Sequence, residues 1–284
     1  MLHPITGLRY VRTCWSAAMI IMLAGATFSP LLVRGEDDAK PSPIAQRYAH
    51  AHNDYQHPRP LFDALDRGFC SVEADVFLQD GELLIGHERQ ELRAERTLDR
   101  LYLAPLGERA RMRDGHIQDA SSHFYLLIDI KSDGKSTYAA IHSRLAAYPH
   151  LFSSLENGVW TPRAITVVIS GNVPSEMILQ QTLRYAGIDG RPTDLQNSAP
   201  PHAMPWISAN WKTLFRWRGA GPIPAAEKDK LRQYVQDAHA KGRLVRFWGT
   251  PENTVLWEEF RAQGVDLIGT DELQKLQEFC KVPE

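Results

Sequence analysis

The chain has 284 residues, of which 43% are hydrophobic and 23% are charged. Such a chain can bury a large core, and single α/β barrels commonly contain about 250 residues, so one main domain is expected. The formal net charge of −2 at pH 7 excludes the strongly basic balance on which non-specific nucleic-acid binding and polybasic membrane docking depend. A small molecule is therefore a more suitable ligand than a nucleic acid.

The N-terminal region differs in character from the remainder of the chain. Two basic residues, Arg9 and Arg12, precede an apolar run from Trp15 to about Val33, and this order is typical of a secretory signal peptide. We therefore predict a secreted or periplasmic protein. The alternative is an uncleaved membrane anchor, because the run is nearly long enough to span a bilayer. The predicted organisation is a signal peptide at residues 1–35, a polar segment at 36–45 and the main domain at 46–284.

Three cysteines are present, and Cys14 falls within the predicted signal peptide. Cys70 and Cys280 would remain in the mature domain, where an oxidising compartment permits them to pair. A small buried core residue is the alternative for Cys70, and it is the interpretation we favour.

From residue 46 onward, short apolar or β-branched runs alternate with segments of helical period, which predicts βα units around a parallel sheet. A closed (β/α)8 barrel is favoured over a doubly wound sheet. Two stretches, 88–123 and 171–224, depart from the alternation and are predicted to be long connections that shape the pocket of the barrel. The predicted strands are Tyr48–His52, Ser71–Phe77, Tyr125–Lys131, Ala164–Ser170, Trp206–Ala209, Leu244–Trp248 and Val265–Gly269.

Helix boundaries are most readable after the strand Leu244–Trp248. Thr250 is predicted to cap a helix whose first residue is Pro251, since both residue types favour those positions. Gly264 is predicted to end that helix, because glycine is the usual residue just past a helix C-terminus.

Acidic side chains lie near the ends of two predicted strands. Alternate residues of a strand point to opposite faces, so Glu73 and Asp75 share one face of Ser71–Phe77, and Asp129 shares a face with Lys131. These faces are predicted to point into the barrel at the C-terminal strand ends, where barrel enzymes have their active sites. Burying like carboxylates uncompensated is costly, so a cation is expected among them. All-oxygen ligands favour Mg²⁺, Ca²⁺ or Mn²⁺ over Zn²⁺, with Mg²⁺ or Ca²⁺ preferred.

Histidines accompany these carboxylates. His50 and His52 share a face at the end of the first predicted strand, and His87 ends a short run that a hairpin would return toward the carboxylates. Two groups that titrate near neutrality beside a divalent cation supply a general acid, a general base and a Lewis acid. Such a set is sufficient for hydrolysing a phosphodiester.

Three further residues near the strand ends are candidates for contact with a substrate. Lys131 is expected to neutralise part of the carboxylate charge or to contact an anionic substrate. Asn53, which follows His52, and Trp248, which ends a strand, are candidate substrate-binding residues. For Trp248, packing within the barrel is the alternative.

The spacing of these residues resembles the phosphatidylinositol-phospholipase-C-like phosphodiesterase superfamily, which includes glycerophosphodiester phosphodiesterases and sphingomyelinase D. The string His50-Ala51-His52-Asn53-Asp54-Tyr55 is most similar to the altered-inheritance-of-mitochondria protein 6 group. The resemblance implies a TIM-type barrel and a small-molecule or lipid phosphodiester as substrate, with peripheral membrane contact and a monomeric state as further expectations. It also implies a divalent cation on Glu73, Asp75 and Asp129, with His52 and His87 as the acid/base pair.

The first strand departs from the pattern of the glycerophosphodiesterases. Those enzymes usually have His-Arg-Gly there, whereas Ala51 follows His50 and Asn53 follows His52 in this chain. The arginine that would help to hold phosphate is therefore absent at that place. His50 also stays an alternative to His52 as the first catalytic histidine.

Two other functions are compatible with the sequence. His50-Ala51-His52 resembles the zinc-ligand signature of amidohydrolase and PHP-type metallohydrolases, although those sites need further histidines on later strands. A barrel that binds carbohydrate or lipid without catalysis is the third possibility, because a fold does not guarantee a function.

Overall fold

The predicted parallel sheet closes on itself. A computed structural model describes residues 45–281. Its main sheet contains eight parallel strands and one further strand, Glu82–Ile85, which pairs antiparallel with the strand Phe69–Gln79. In chain order the strands are β1 (Gln46–Ala51), β2 (Phe69–Gln79), β3 (Glu82–Ile85), β4 (Phe124–Ile130), β5 (Ser154–Glu156), β6 (Val159–Thr161), β7 (Ile165–Gly171), β8 (Leu183–Arg184), β9 (Ala186–Gly190), β10 (Trp206–Asn210), β11 (Leu244–Trp248) and β12 (Leu267–Thr270). The barrel runs β1-β2-β4-β7-β9-β10-β11-β12 and returns to β1.

Helices follow most of the barrel strands, as the predicted βα alternation requires. The α-helices are α1 (Phe62–Leu65), α2 (Ala104–Met112), α3 (Gly134–Ala146), α4 (Ser175–Leu179), α5 (Trp211–Leu214), α6 (Ala225–His239), α7 (Thr254–Gln263) and α8 (Leu273–Cys280). The favoured prediction of a (β/α)8 barrel is thus confirmed. None of the described helices is long and apolar enough to cross a membrane. The predicted signal peptide or anchor, residues 1–35, lies outside the described residues.

Side chains of each barrel strand alternate between an outer and an inner layer. On β2, Val72, Ala74 and Val76 are fully buried in the large apolar core between the barrel and its helices. The other face lines the inside of the barrel, because Leu127 is in register with both Glu73 and Val168. Leu127 and Val168 belong to a small apolar cluster with Trp206 and Leu267. This cluster forms an apolar layer inside the barrel, next to the polar residues near the strand ends.

One barrel strand was absent from the sequence prediction. The stretch 171–224 contains β9, whose sequence Ala-Gly-Ile-Asp-Gly has little of the β-branched and aromatic character typical of strands. Its glycines are required by packing, since a Cβ atom on Gly187 would lie 2.5 Å from Pro205 Cδ and one on Gly190 would lie 2.5 Å from Ile207 Cδ1. Because neighbouring chain segments approach so closely, this strand has glycines in place of the β-branched or aromatic residues by which strands are predicted.

Other predictions are corrected locally. The stretch 88–123 is not a plain connection, because it contains α2 preceded by a π-helical turn at Asp99–Leu103. The cap of α7 is Asn253, whose side chain accepts a hydrogen bond from the Leu256 N–H, so the prediction of Thr250 was wrong. Gly264 does end that helix, with φ 79°.

The two cysteines of the described domain do not pair. Cys70 and Cys280 are both free, and Cys70 is buried, which confirms the favoured interpretation of Cys70 as a core residue.

Candidate active site

Three carboxylates meet on the inner faces of β2 and β4, with Asp129 next to the last residue of β4. Asp75 and Asp129 are direct neighbours in the parallel register, and Glu73 lies two residues earlier on the same inner face. One oxygen from each of Glu73, Asp75 and Asp129 can be chosen so that all three lie within 4.8 Å of one another. Within residues 45–281 this is the group of potential metal ligands with that geometry, as the strand-face argument predicted.

The charges of these carboxylates are compensated unequally. Arg246 Nη2 donates to Glu73 Oε2 at 2.7 Å. Burial acts to raise the pKa of Glu73, but the charge of Arg246 and a hydrogen bond from His50 outweigh it and hold that pKa well below its usual range. Burial raises the pKa of Asp75, with the neighbouring charge of Glu73 adding to the effect. Burial likewise raises the pKa of Asp129. A bound cation would lower both of those pKa values.

The donor set fits a divalent cation. Asp75 Oδ2 lies 2.7 Å from the Tyr55 hydroxyl, 3.0 Å from His87 Nδ1 and 3.0 Å from Lys131 Nζ. By contrast, Asp75 Oδ1 is buried and has no hydrogen-bond partner among the described residues. A buried carboxylate oxygen without a donor is costly, and a cation would satisfy it. Three carboxylate oxygens are ligands of the kind that Mg²⁺ and Ca²⁺ prefer.

His52 projects into the mouth of the barrel just after β1. Its Nδ1 lies 2.8 Å from Asp271 Oδ1, and because a carboxylate can only accept, Nδ1 carries the proton of this hydrogen bond. The neutral ring then has its lone pair on Nε2. Burial acts to lower the pKa of His52, but the hydrogen bond to Asp271 and the charge of Glu73 outweigh it and raise that pKa. Asp271, which follows β12, was missed in the sequence.

His87 arrives from the opposite side through the predicted hairpin. β3 pairs antiparallel with β2, and His87 Nδ1 lies 3.0 Å from Asp75 Oδ2. The backbone N–H of His87 donates to Glu91 Oε2 at 2.8 Å, which fixes the chain after the hairpin. The side chain is about half exposed, at 47%, so its other ring nitrogen is accessible.

His50 lies deeper in the barrel than His52. It is fully buried, with Nε2 3.2 Å from Glu73 Oε2 and Nδ1 2.7 Å from Ser71 Oγ. Burial lowers its pKa to about 4, helped by the nearby charge of Arg246, so the ring is neutral near pH 7. Both ring nitrogens of His50 have a polar partner. No histidine belongs to the metal-ligand group found among residues 45–281. The zinc signature of the sequence has no counterpart in this geometry.

A pocket of about 280 Å³ opens over these groups. Asn53 and Trp248 both line it, and the Trp248 residue is 43% exposed. Lys131 Nζ bridges Asp75 Oδ2 and Asp129 Oδ1, at 3.0 and 3.1 Å. The lining residues are His52, Asn53, Glu73, His87, Asp129, Lys131, Ser170, Asp189, Arg191, Arg246 and Trp248.

The far wall of the pocket was missed in the sequence. Arg191 Nη1 donates to Asp189 Oδ2 at 2.5 Å, and Arg191 Nη2 donates to Ser170 Oγ at 3.3 Å. Ser170 and Asp189 are the second-last residues of β7 and β9, and Arg191 follows β9. The missed β9 explains why the wall was not found. Arg246 was readable, since it shares a face with Trp248 on a strand that was predicted. No residue of 88–123 lines this pocket, which corrects the expectation that this stretch shapes it.

Comparison with known proteins identifies the family. A family model described as the AIM6-like phosphodiesterase domain matches residues 40–189, slightly more than half of the chain. The chain is a member of this AIM6-like phosphodiesterase domain family. Membership confirms the resemblance carried by the first-strand histidines and the strand-end carboxylates.

Relatives of this AIM6-like domain extend the similarity beyond the matched range. Altered inheritance of mitochondria protein 6 of Eremothecium gossypii is 29% identical over 273 residues, which cover 84% of this chain and 70% of that protein. The homolog of Arthroderma benhamiae is 26% identical over 264 residues, which cover 79% of this chain and 81% of that protein.

Solved structures share the barrel of the AIM6-like chain at low sequence identity. A calcium-dependent phosphoinositol-specific phospholipase C from a Pseudomonas species has a TM-score of 0.52 and 13% identity, over 82% of this chain and 93% of that one. A glycerophosphodiester phosphodiesterase from Parabacteroides distasonis has a TM-score of 0.50 and 17% identity, over 83% and 98%. At these identities the likeness establishes the fold alone.

Proposed function

We propose that this AIM6-like chain is a phosphoric diester hydrolase that depends on a divalent cation and on acid/base catalysis by His52 and His87. The observation that carries the proposal is the convergence of both histidines on one pocket beside the Glu73, Asp75 and Asp129 carboxylates. Each histidine has Nδ1 against a carboxylate, which orients its ring and leaves Nε2 for proton transfer. The family name and the enzymes that share the barrel support the same chemistry.

The carboxylates and the histidines of the site are proposed to have different roles, cation binding and proton transfer. Glu73, Asp75 and Asp129 would hold the cation, Mg²⁺ or Ca²⁺, which would act as a Lewis acid on a phosphoryl oxygen. One histidine removes the proton of the attacking water or hydroxyl, and the other protonates the leaving oxygen. The carboxylate partner keeps a proton on Nδ1 of each ring, so the base accepts its proton at the free Nε2 of a neutral ring, whereas the acid donates a proton from Nε2 of a doubly protonated ring.

Lys131 contributes positive charge at the phosphate. Its ammonium group bridges Asp75 and Asp129, so a phosphate bound to the proposed cation would lie close to it. The charges of Asp129 and Asp75 outweigh the effect of burial and raise the pKa of Lys131, which keeps it cationic at neutral pH. Asn53 and Trp248 would contact the substrate at the pocket mouth.

The substrate we propose is a glycerophosphodiester- or phospholipid-like molecule. A pocket of about 280 Å³ accommodates a phosphate with a small head group, while a long acyl chain would have to stay outside. The names of the barrel neighbours, a glycerophosphodiester phosphodiesterase and a phosphoinositol-specific phospholipase C, support this class. Secretion through the predicted signal peptide, a monomeric state and peripheral membrane contact complete the proposal.

A panel of phosphodiesters assayed with and without chelator tests this function. It would contain glycerophosphodiesters, lysophospholipids, inositol phospholipids and aryl diesters. We expect turnover that chelator abolishes and that His52→Ala or His87→Ala each lowers by about 10² to 10⁴. His150→Ala is the matched control, since His150 is exposed and outside the pocket lining. No turnover on any member would favour a binding barrel without catalysis, and full activity in both histidine variants would refute the acid/base assignment.

A further inference from the structure

Tyr55 is a buried residue whose hydroxyl contacts both Asp75 and His87 in the candidate site. It belongs to a short 3-10 turn, Asp54–Gln56, which His52 and Asn53 separate from β1, and only 2% of the residue is exposed. Buried Asp54 anchors the turn by accepting hydrogen bonds from the Leu61 N–H at 2.6 Å and from the Tyr102 hydroxyl at 2.9 Å. The Tyr55 ring is thus held in place by contacts that do not involve its own hydroxyl.

The Tyr55 hydroxyl touches three polar groups of the pocket. It lies 2.7 Å from Asp75 Oδ2, 2.9 Å from Asn53 Oδ1 and 3.2 Å from His87 Nδ1. A hydroxyl has one proton, and both the shorter distance and the negative charge favour Asp75 as its acceptor.

The two oxygens of Asp75 consequently have different surroundings. Tyr55, His87 and Lys131 all contact Oδ2, whereas Oδ1 is buried without a hydrogen-bond partner among the described residues. Turning the carboxylate plane away from this orientation would lengthen all three contacts to Oδ2 at once. Tyr55 makes the shortest of the three contacts and is the most deeply buried of the three residues. It therefore contributes most to fixing this orientation.

We propose that Tyr55 is a positioning residue that holds Asp75 with its free oxygen toward the cation and, through the same hydrogen-bond cluster, holds the His87 ring in register with it. Tyr55 would not touch the cation or the substrate. This proposal rests on the proposed function for the identity of the reaction, but its central claim concerns cation affinity and can be tested without any substrate.

Titration calorimetry of the purified chain with Mg²⁺ and with Ca²⁺ tests the proposal. Tyr55→Phe keeps the buried ring and removes only the hydroxyl, and we expect cation affinity to fall by about ten-fold or more, as is typical for loss of a group that orients a metal ligand. The matched control is Tyr102→Phe, which removes a hydroxyl from the anchor of the same turn without touching Asp75. We expect Tyr102→Phe to lower thermal stability while keeping the wild-type affinity.

The outcomes separate positioning from a merely structural role. Equal cation affinity in the Tyr55→Phe and Tyr102→Phe variants would overturn the proposal, as would a wild-type chain that binds neither cation. A lower affinity in Tyr55→Phe alone would support it even if no phosphodiester of the panel is turned over, in which case only the proposed function fails. Where turnover is measured, Tyr55→Phe should require more cation for half-maximal rate, whereas Tyr102→Phe should not.

Discussion

His52 and Asp271 form a pair that joins the first and last strands of the barrel. Asp271 follows β12 directly, and its backbone N–H donates to Glu252 Oε1 at 2.9 Å, so the carboxylate has a fixed place at the rim. The hydrogen bond from His52 is the main cause of the lowered pKa of Asp271. The same bond raises the pKa of His52 against the effect of burial. Each residue therefore stabilises the charged form of the other.

Asp271→Asn should lower the pKa of His52, because the negative acceptor is lost. A histidine whose pKa is higher in the folded state than the unfolded value of 6.5 stabilises the fold fully below pH 6.5, and that contribution is lost as pH rises through the folded-state value. In the variant this dependence should shrink. A pH titration of the His52 ring by NMR measures the shift.

Asp266→Asn is a suitable control, since Asp266 pairs with His239 away from the pocket lining and should leave the titration of His52 unchanged. An unchanged His52 titration in Asp271→Asn would contradict the assigned role of the Asp271 carboxylate.

At the scale of elements, the site depends on how closely adjacent strand ends approach each other. Asp129 on β4 is in register with Ser170 on β7, and Gly171 follows Ser170 with φ +72°. A Cβ atom on Gly171 would lie 2.4 Å from Asp129 Oδ1 and 2.4 Å from the Ile130 carbonyl oxygen. Glycine is therefore needed there both for the left-handed backbone and for the space that the carboxylate occupies.

Gly171→Ala should weaken cation binding and destabilise the fold. The positive φ alone costs about 1–2 kcal/mol for a non-glycine residue, and the contact with Asp129 adds displacement of a proposed cation ligand. Gly158→Ala is the matched control, because Gly158 has φ +84° and a Cβ atom added there would meet nothing within 4 Å. Chemical denaturation should show a larger loss of stability for Gly171→Ala than for Gly158→Ala, because only the first adds a steric clash, and calorimetry should show an affinity loss in Gly171→Ala alone. The same affinity in both would refute the proposed steric effect.

At the scale of the whole molecule, the barrel places an apolar layer of side chains next to the charged residues near its rim. Leu127, Val168, Trp206 and Leu267 fill the inner layer, while the carboxylates of Glu73 and Asp75 lie near the rim above it. This apolar layer offers the carboxylates no charged partner, so their charges depend on Arg246, Lys131 and a cation for compensation. Cation binding and stability of the fold should therefore be linked.

Added Mg²⁺ or Ca²⁺ should raise the melting temperature of the chain, and chelator should reverse the change. A ligand that binds only the folded state at about one hundred times its Kd stabilises that state by about 2.7 kcal/mol. Asp129→Asn should abolish the increase, because it removes one of the three proposed cation ligands. Thermal unfolding followed by circular dichroism measures both. An equal shift in the Asp129→Asn variant would place the cation elsewhere.

The sequence by itself determined the local patterns of this protein. Strand periodicity predicted seven of the eight barrel strands, and strand-face alternation was sufficient to bring Glu73 and Asp75 together with Asp129. The hairpin that returns His87 was also readable, because its turn is local. These features depend on residues near one another in the chain, where the period of the side chains decides which face each residue occupies.

Only the tertiary structure decided the features that depend on distant parts of the chain. The separation of His50 and His52 into a buried residue and a pocket residue depends on Ser71, Glu73 and Asp271, and Asp271 lies 219 residues from His52. The strand β9 has glycines that close packing requires, although glycine has a low strand propensity. The pocket wall formed by Asp189 and Arg191 depends on this strand. Barrel closure brings such residues together, and no local pattern encodes which partners will meet across it.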